Sequence, residues 1–137
     1  MNRVLQIMMR PGDSTAIVGR SISEVIQEFQ FDNLYLQGNK TVSITDGRCR
    51  SIVMGFGKRT ISGLFRYFAV LILLARFAKN KPELIIAHRY KCVDISDLWS
   101  RLYNIHLVVV VQGVGEFDRR YRTRKLNSLI QRGVTVV

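Results

Sequence analysis

Acidic residues are scarce in this sequence: 10 Asp and Glu stand against 21 Lys and Arg, a formal net charge of +11. The imbalance disfavours a cationic partner. It points to nucleic acid, an anionic membrane surface or a phosphorylated small molecule. Cysteine is scarcer still. Cys49 and Cys92 form no C-x-x-C pair and have no His/Cys cluster around them, which argues against a zinc site and fits two free thiols in a reducing cytoplasm. The G-x-G-x-x-G fingerprint and the G-x-x-x-x-G-K-[ST] loop are both absent, so an ordinary NAD site and a P-loop are excluded. No G-x-S-x-G elbow, nucleophile–base pair or metal-ligand triad is present. Nor does the N-terminus, MNRVLQIMMRPGD, form a signal peptide, because its apolar stretch is short and broken by Gln6. The most apolar window, Tyr67 to Phe77, is bracketed by Arg66 and Arg76 and falls short of the ~20 residues of a membrane span. It reads as a buried helix, with an interfacial membrane helix as the alternative.

What is present is a chain that is 47% hydrophobic and long enough, at 137 residues, for one domain with a real core. Arg3 to Met8 reads as a first strand, followed by a turn at Pro11, Gly12 and Asp13. A helix is expected from about Thr15 to Phe29, with Ile17, Val18, Ile22, Val25, Ile26 and Phe29 as its apolar face. NLYLQG and RSIVMGFG read as strands, and the NKTVSITDG between them has no clear pattern. A long helix capped by Thr60 or Ser62 is expected to end near Asn80, before Pro82.

Beyond Pro82 the pattern sharpens. ELIIAH reads as a strand, and DISDLWSRLYN as a helix with Asp94 as a candidate cap. IHLVVVVQG is a strand apolar on both faces, RTRKLNSLIQRG a helix closed by Gly133, and VTVV a last strand. Val/Ile runs alternating with helices predict an α/β class: a Rossmann-like, doubly wound parallel sheet covered on both faces. A closing strand with no element after it reads as an architecture cut short.

In an open parallel sheet, ligands bind at the carboxyl ends of the strands. That rule selects three loops. In the first, residues 9–15, Gly12 lets backbone approach a ligand or simply turns the chain. In the second, IIAHRYK, His88 can exchange a proton, Arg89 can grip a carboxylate or phosphate, Tyr90 offers a flat face and a hydroxyl, and Lys91 adds a charge. The competing reading makes His88 a satisfied strand-end histidine with the rest solvated. In the third, QGVGEFDR, Gly113 and Gly115 suit a sharp turn or a close ligand. Glu116 and Asp118 can orient hydroxyls or pair with nearby arginines. Five cations follow closely: Arg119, Arg120, Arg122, Arg124 and Lys125. Most are expected to be solvated, some to meet a phosphate-bearing ligand or anionic lipid.

PELIIAHRYK, a short helix, IHLVVVVQGVGEFDRRYRTRKL and VTVV, in that order, resemble the N-terminal domain of family 4 glycosyltransferases of the GT-B fold. The resemblance covers most of the chain and is clearest from Lys81 to Val137. It implies one Rossmann-like domain over residues 1–137 that binds the acceptor, facing a C-terminal donor-binding domain that this sequence lacks. It also implies sugar transfer with retention from a nucleotide-sugar substrate to a lipopolysaccharide- or polysaccharide-type acceptor, glycan or lipid-linked. No cofactor or metal is implied, and the setting is cytoplasmic, peripheral to the inner membrane face. By the same resemblance, Gly12, Asp13, His88, Arg89, Tyr90 and Lys91 line the acceptor site, and Gln112, Gly113, Gly115 and Glu116 lie near the donor sugar. Two motifs depart from the family pattern. RPGDST stands where a Gly-Gly pair is common, and Gln112-Gly113 where His-Gly is common; an amide can hydrogen-bond a hydroxyl but cannot carry a proton. The alternative is a stand-alone basic module for nucleic acid or anionic lipid, although no recognition helix or aromatic platform accompanies the cations.

Overall fold

The computed structural model describes residues 2–12, 14–38, 42–54, 71–72, 74–75, 81–111 and 120–137. Seven strands form one sheet: β1 (Arg3–Met8), β2 (Gln30–Tyr35), β3 (Val42–Asp46), β4 (Cys49–Val53), β5 (Leu84–His88), β6 (His106–Val110) and β7 (Thr135–Val136). The described helices are α1 (Ser14–Val25), α2 (Tyr90–Tyr103) and α3 (Arg120–Gln131). Strand order is β3-β4-β2-β1-β5-β6-β7, and every pairing is parallel except the β3–β4 hairpin at one edge. The expected α/β, Rossmann-like, doubly wound class is the one found.

Register sorts the side chains into two faces, because neighbours paired across parallel strands point the same way. Leu5, Ile7, Leu34, Ile85, Ala87, Leu107 and Val109 share one face and form the main core. Val93 and Trp99 of α2 and Leu129 of α3 pack onto it. The opposite face carries Val4, Phe31 and Ile86, with Met8 and Tyr35 toward its carboxyl end, and α1 lies there. Helices on both faces explain why β1 and β5 are buried at every residue but the first.

Three sequence expectations are corrected. First, the stripe of α1 closest to the sheet is not the bulky one, although Ile22, and Phe29 just beyond the helix, pack against the Val4, Phe31 and Ile86 cluster as expected. Ala16, Gly19 and Ser23 face the sheet, while Ile17 and Val25 are exposed. Helix and sheet approach so closely that a Cβ at Gly19 would run into the Met8 side chain. A glycine in mid-helix, unfavourable by roughly 1 kcal/mol relative to alanine, is explained by that contact.

Second, α1 ends at Val25, short of the expected Phe29. The Arg48 guanidinium reaches over from the hairpin and donates to the carbonyls of Ser23, Ile26 and Phe29, each at 3.1 Å. These carbonyls have no helical partners to lose, and a cation at a helix C-terminus also suits its dipole. Arg48→Ala is expected to lower stability by roughly 1–2 kcal/mol, read as a lower urea midpoint with an unchanged slope.

Third, the unpatterned NKTVSITDG contains β3, and the chain reverses at Gly47 (φ 56°). Val42 and Ile44 alternate with Ser43 and Thr45, a weak signal in an edge strand where Ser43, Ile44 and Thr45 are exposed. The long helix expected to end near Asn80, with its Thr60 or Ser62 cap, lies mostly outside the described residues; 71, 72, 74 and 75 are helical, with Leu74 buried. Among the described residues, no helix is long and apolar enough to cross a membrane.

Candidate functional site

Strand order reverses between β1 and β5. From β1 the chain passes through α1 to β2 on one side; from β5 it passes through α2 to β6 on the other. The two connections lie on opposite faces of the sheet, so their loops part at the carboxyl ends of β1 and β5 and leave a crevice. Two of the three loops selected from the sequence meet at that point.

On the β1 side, the ladder continues past the strand ends: Leu36 N–H donates to Met8 O at 2.9 Å and Gln37 N–H to Met9 O at 2.8 Å. Arg10 Nε donates to Gln37 Oε1 at 3.0 Å, tying the loops after β1 and β2 together. Arg20 Nη2 donates to Pro11 O at 2.9 Å and secures the turn against α1. Gly12 is exposed, with nothing within 4 Å of where a Cβ would stand. No neighbour demands glycine at that position. Asp13 lies outside the described residues.

On the β5 side, the four residues of HRYK separate. His88 is completely buried. Its Nε2 lies 2.8 Å from Gln6 Oε1, and Gln6 Nε2 donates to Gly19 O at 3.0 Å and to Asn33 Oδ1 at 3.1 Å. The chain of donors has one consistent direction. Gly19 O can only accept, so the Gln6 amide nitrogen faces it. Gln6 oxygen then faces His88, whose Nε2 must carry the proton. Expected beside an acceptor, His88 is instead an anchor inside the fold. It ties β5 to β1, β2 and α1 directly behind the crevice.

The next residue leaves the core abruptly. Arg89 is exposed, with φ 68° and ψ 160°, a region essentially reserved for glycine. Its N–H donates to Val110 O and its carbonyl accepts from Cys92 N–H, both at 3.2 Å, so the backbone is held on both sides. It stands at the N-cap of α2 without a side-chain cap. The helix therefore begins at Tyr90, earlier than expected. Asp94 is not a cap but an exposed residue 3.7 Å from Lys125 Nζ. Lys91 falls in the first turn of α2, and its side chain is outside the described set.

Tyr90 meets residues of the basic run, most of whose cations are expected to be solvated. Its ring lies edge-on to Tyr121 of α3, with centroids 5.9 Å apart. The Arg122 guanidinium sits 4.7 Å from the Tyr90 ring centroid and 5.8 Å from that of Tyr121. Burial, with Asp94 and Tyr121 nearby, raises the Tyr90 phenol above its ordinary value despite Arg122. It remains a neutral hydroxyl at physiological pH. The available sequence signal was the tyrosine inside DRRYRTRKL, an aromatic among cations at the start of a helix. Gln112, Gly113, Gly115 and Glu116 lie outside the described residues.

No protein-family model matches the chain. No curated protein matches it either. Among solved structures, a sucrose-phosphate synthase from Thermosynechococcus elongatus superposes with a TM-score of 0.65 at 13% identity. The match covers 98% of this chain and 46% of that one, so this chain spans about half of its length. At that identity the likeness is one of fold.

Proposed function

We propose that this chain is the acceptor-side domain of a GT-B glycosyltransferase. Its action is to position an acceptor while a second, donor-binding domain presents a nucleotide sugar. One observation carries the reading: 98% of the chain superposes on the sucrose-phosphate synthase, at a TM-score of 0.65. The crevice at the carboxyl ends of β1 and β5 supports it, because this is where such sheets bind ligands.

In this reading, Arg89 and Tyr90 hold the acceptor, with Gly12, Asp13 and Lys91 on the same rim. His88 acts behind them as a positioning residue through Gln6. Gln112, Gly113, Gly115 and Glu116 stand toward the donor sugar. The transfer retains anomeric configuration, uses no cofactor or metal, and serves a lipopolysaccharide- or polysaccharide-type acceptor at the cytoplasmic face of the inner membrane. The family is family 4.

Radiolabelled transfer from a panel of nucleotide sugars to lipopolysaccharide precursors, measured on the full gene product, tests the proposal. Transfer of at least one sugar is expected, and absence of transfer and of donor hydrolysis across the panel would overturn it. The nucleic-acid alternative is disfavoured by the partners of the basic run. Lys125 is bound to Asp97 at 2.9 Å and Arg122 lies against tyrosine rings, so the cations do not form one solvated stripe.

A further inference from the structure

We propose that Gln6 is the positioning residue of the crevice: its side-chain amide couples the two rims, so that they meet an acceptor as one preorganised pair. The role rests on the acceptor-side reading above. It gives a buried side chain of β1 control over the spacing of two surface loops.

The first support is that the connection is unbroken from rim to rim. On the β1 side, Pro11 O accepts from Arg20 Nη2 at 2.9 Å. Arg20 adjoins Gly19, whose carbonyl accepts from Gln6 Nε2 at 3.0 Å. The other end of the same amide, Oε1, lies 2.8 Å from His88 Nε2. His88 adjoins Arg89, whose N–H donates to Val110 O at 3.2 Å on the β5 side. Asn33 Oδ1, 3.1 Å from Gln6 Nε2, steadies the amide from β2, where Asn33 is the register partner of Gln6. A single amide therefore holds α1, β2 and β5 to β1 behind the crevice.

The second support is the close approach at Gly19. A Cβ there would run into the Met8 side chain and stand 3.4 Å from Gln6 Oε1. The missing side chain is what lets α1 bring the Gly19 carbonyl within reach of the Gln6 amide. The third is the chemistry of the layer. Gln6, His88 and Asn33 are all buried, beside the apolar cluster of Val4, Phe31 and Ile86 on the same face. Apolar residues of similar volume would stabilise such a layer at least as well. Hydrogen bonds add direction, which an apolar layer lacks, and a binding site needs its groups held at fixed spacing.

Amide hydrogen exchange on the chain reads the coupling, with Gln6→Met deleting the amide at nearly constant volume. The amides of Gln37, bonded to Met9 O, and Arg89, bonded to Val110 O, report the two rims. Those of Ile105, bonded to Ser100 O, and Val134, bonded to Leu129 O, report the opposite edge of the sheet. Gln6→Met is expected to speed exchange at both rims roughly 10-fold more than at the opposite edge. His88→Gln keeps an N–H donor and should stay within about 3-fold of wild type at both rims, whereas His88→Leu should match Gln6→Met at Arg89. Uniform acceleration would make the amide a source of stability alone, and acceleration at one rim would leave the rims uncoupled; either result overturns the proposal. So would His88→Gln exchanging as fast as His88→Leu. Where the deletions fail to fold, the wild-type imidazole decides: a slowly exchanging Nε2–H supports the link, and a bare Nε2 overturns it. In the full gene product, Gln6→Met should raise KM for the acceptor roughly 10-fold and leave KM for the nucleotide sugar unchanged. Loosened rims with an unchanged acceptor KM would overturn the acceptor-side reading and leave the coupling standing. Rims that exchange as in wild type, with transfer intact, would do the reverse.

Discussion

Asp97→Ala is expected to lower stability by about 2–4 kcal/mol, the largest single-residue effect foreseen for the described part of the fold. Asp97 is buried on α2, and three cations converge on its carboxylate. Arg132 Nη2 lies 2.8 Å from Oδ1, Lys125 Nζ 2.9 Å from Oδ2, and Arg101 Nε 3.6 Å from Oδ1. Lys125 lies within α3 and Arg132 directly after it, so this one carboxylate fastens α3 to α2. Removing it leaves three positive charges close together, with only the exposed Asp94, 3.7 Å from Lys125, to offset them. The loss should fall short of that for a fully buried pair, because the cations keep part of their contact with water.

The same carboxylate gives a pH signature. Burial pushes its pKa up, but the hydrogen bonds and charges of Lys125 and Arg132 outweigh burial and hold it below the ordinary carboxylate value. An unfolded aspartate titrates near 4, so the folded chain binds this proton less readily than the unfolded one. The contribution of Asp97 is therefore intact above about pH 4 and is lost as pH falls through the depressed folded value. Urea unfolding at pH 7 and at pH 3 should show the gap between wild type and Asp97→Asn narrowing in acid. A gap that stays constant would show that the carboxylate charge does not fasten the helices.

Arg89→Gly is expected to raise stability by roughly 1–2 kcal/mol while removing the guanidinium that the proposed function places at the acceptor. A non-glycine residue at φ 68° and ψ 160° costs of order 1–3 kcal/mol, and the added freedom of glycine in the unfolded chain returns only part of that. Arg89→Ala also deletes the guanidinium but keeps the strained backbone, so it should gain nothing in stability. The informative quantity is the difference between the two variants, from denaturation curves collected side by side. Glycine at least 1 kcal/mol more stable than alanine, with both equally weak in ligand binding, would mean that the strain is sustained for the sake of the side chain's position. Equal stabilities would remove strain from the account.

Arg89 also shows how far the candidate site was legible in the sequence. The abrupt change from Ile85-Ile86 to His88-Arg89-Tyr90 marked a strand end, and the sheet rule made that end a place for ligands. The sequence did not reveal that the first of these residues turns inward and the second outward. That division depends on Gln6, 82 residues away in the chain, whose side chain gives His88 a buried partner. In the sequence Gln6 is only a break in an apolar run. Tyr121 is inconspicuous in the sequence for a related reason. A tyrosine among arginines looks solvated until another helix supplies the ring beside it.

Locally encoded features were recovered from the sequence alone. β1 lies at Arg3–Met8 as expected, and β5, β6, α3 with its Gly133 stop, and β7 follow the apolar runs and their turn residues. In these segments, propensity, periodicity and chain punctuation agree, and a buried parallel strand has few other ways to satisfy its backbone. The positive charge and the loops at the strand ends were likewise readable without a structure. Tertiary structure decided the rest: the small-residue face of α1, the β3–β4 hairpin, the inward turn of His88 and the meeting of Tyr90, Tyr121 and Arg122. Each depends on groups far apart in sequence, and their contact energies overrule local preferences once the sheet brings them within a few ångströms.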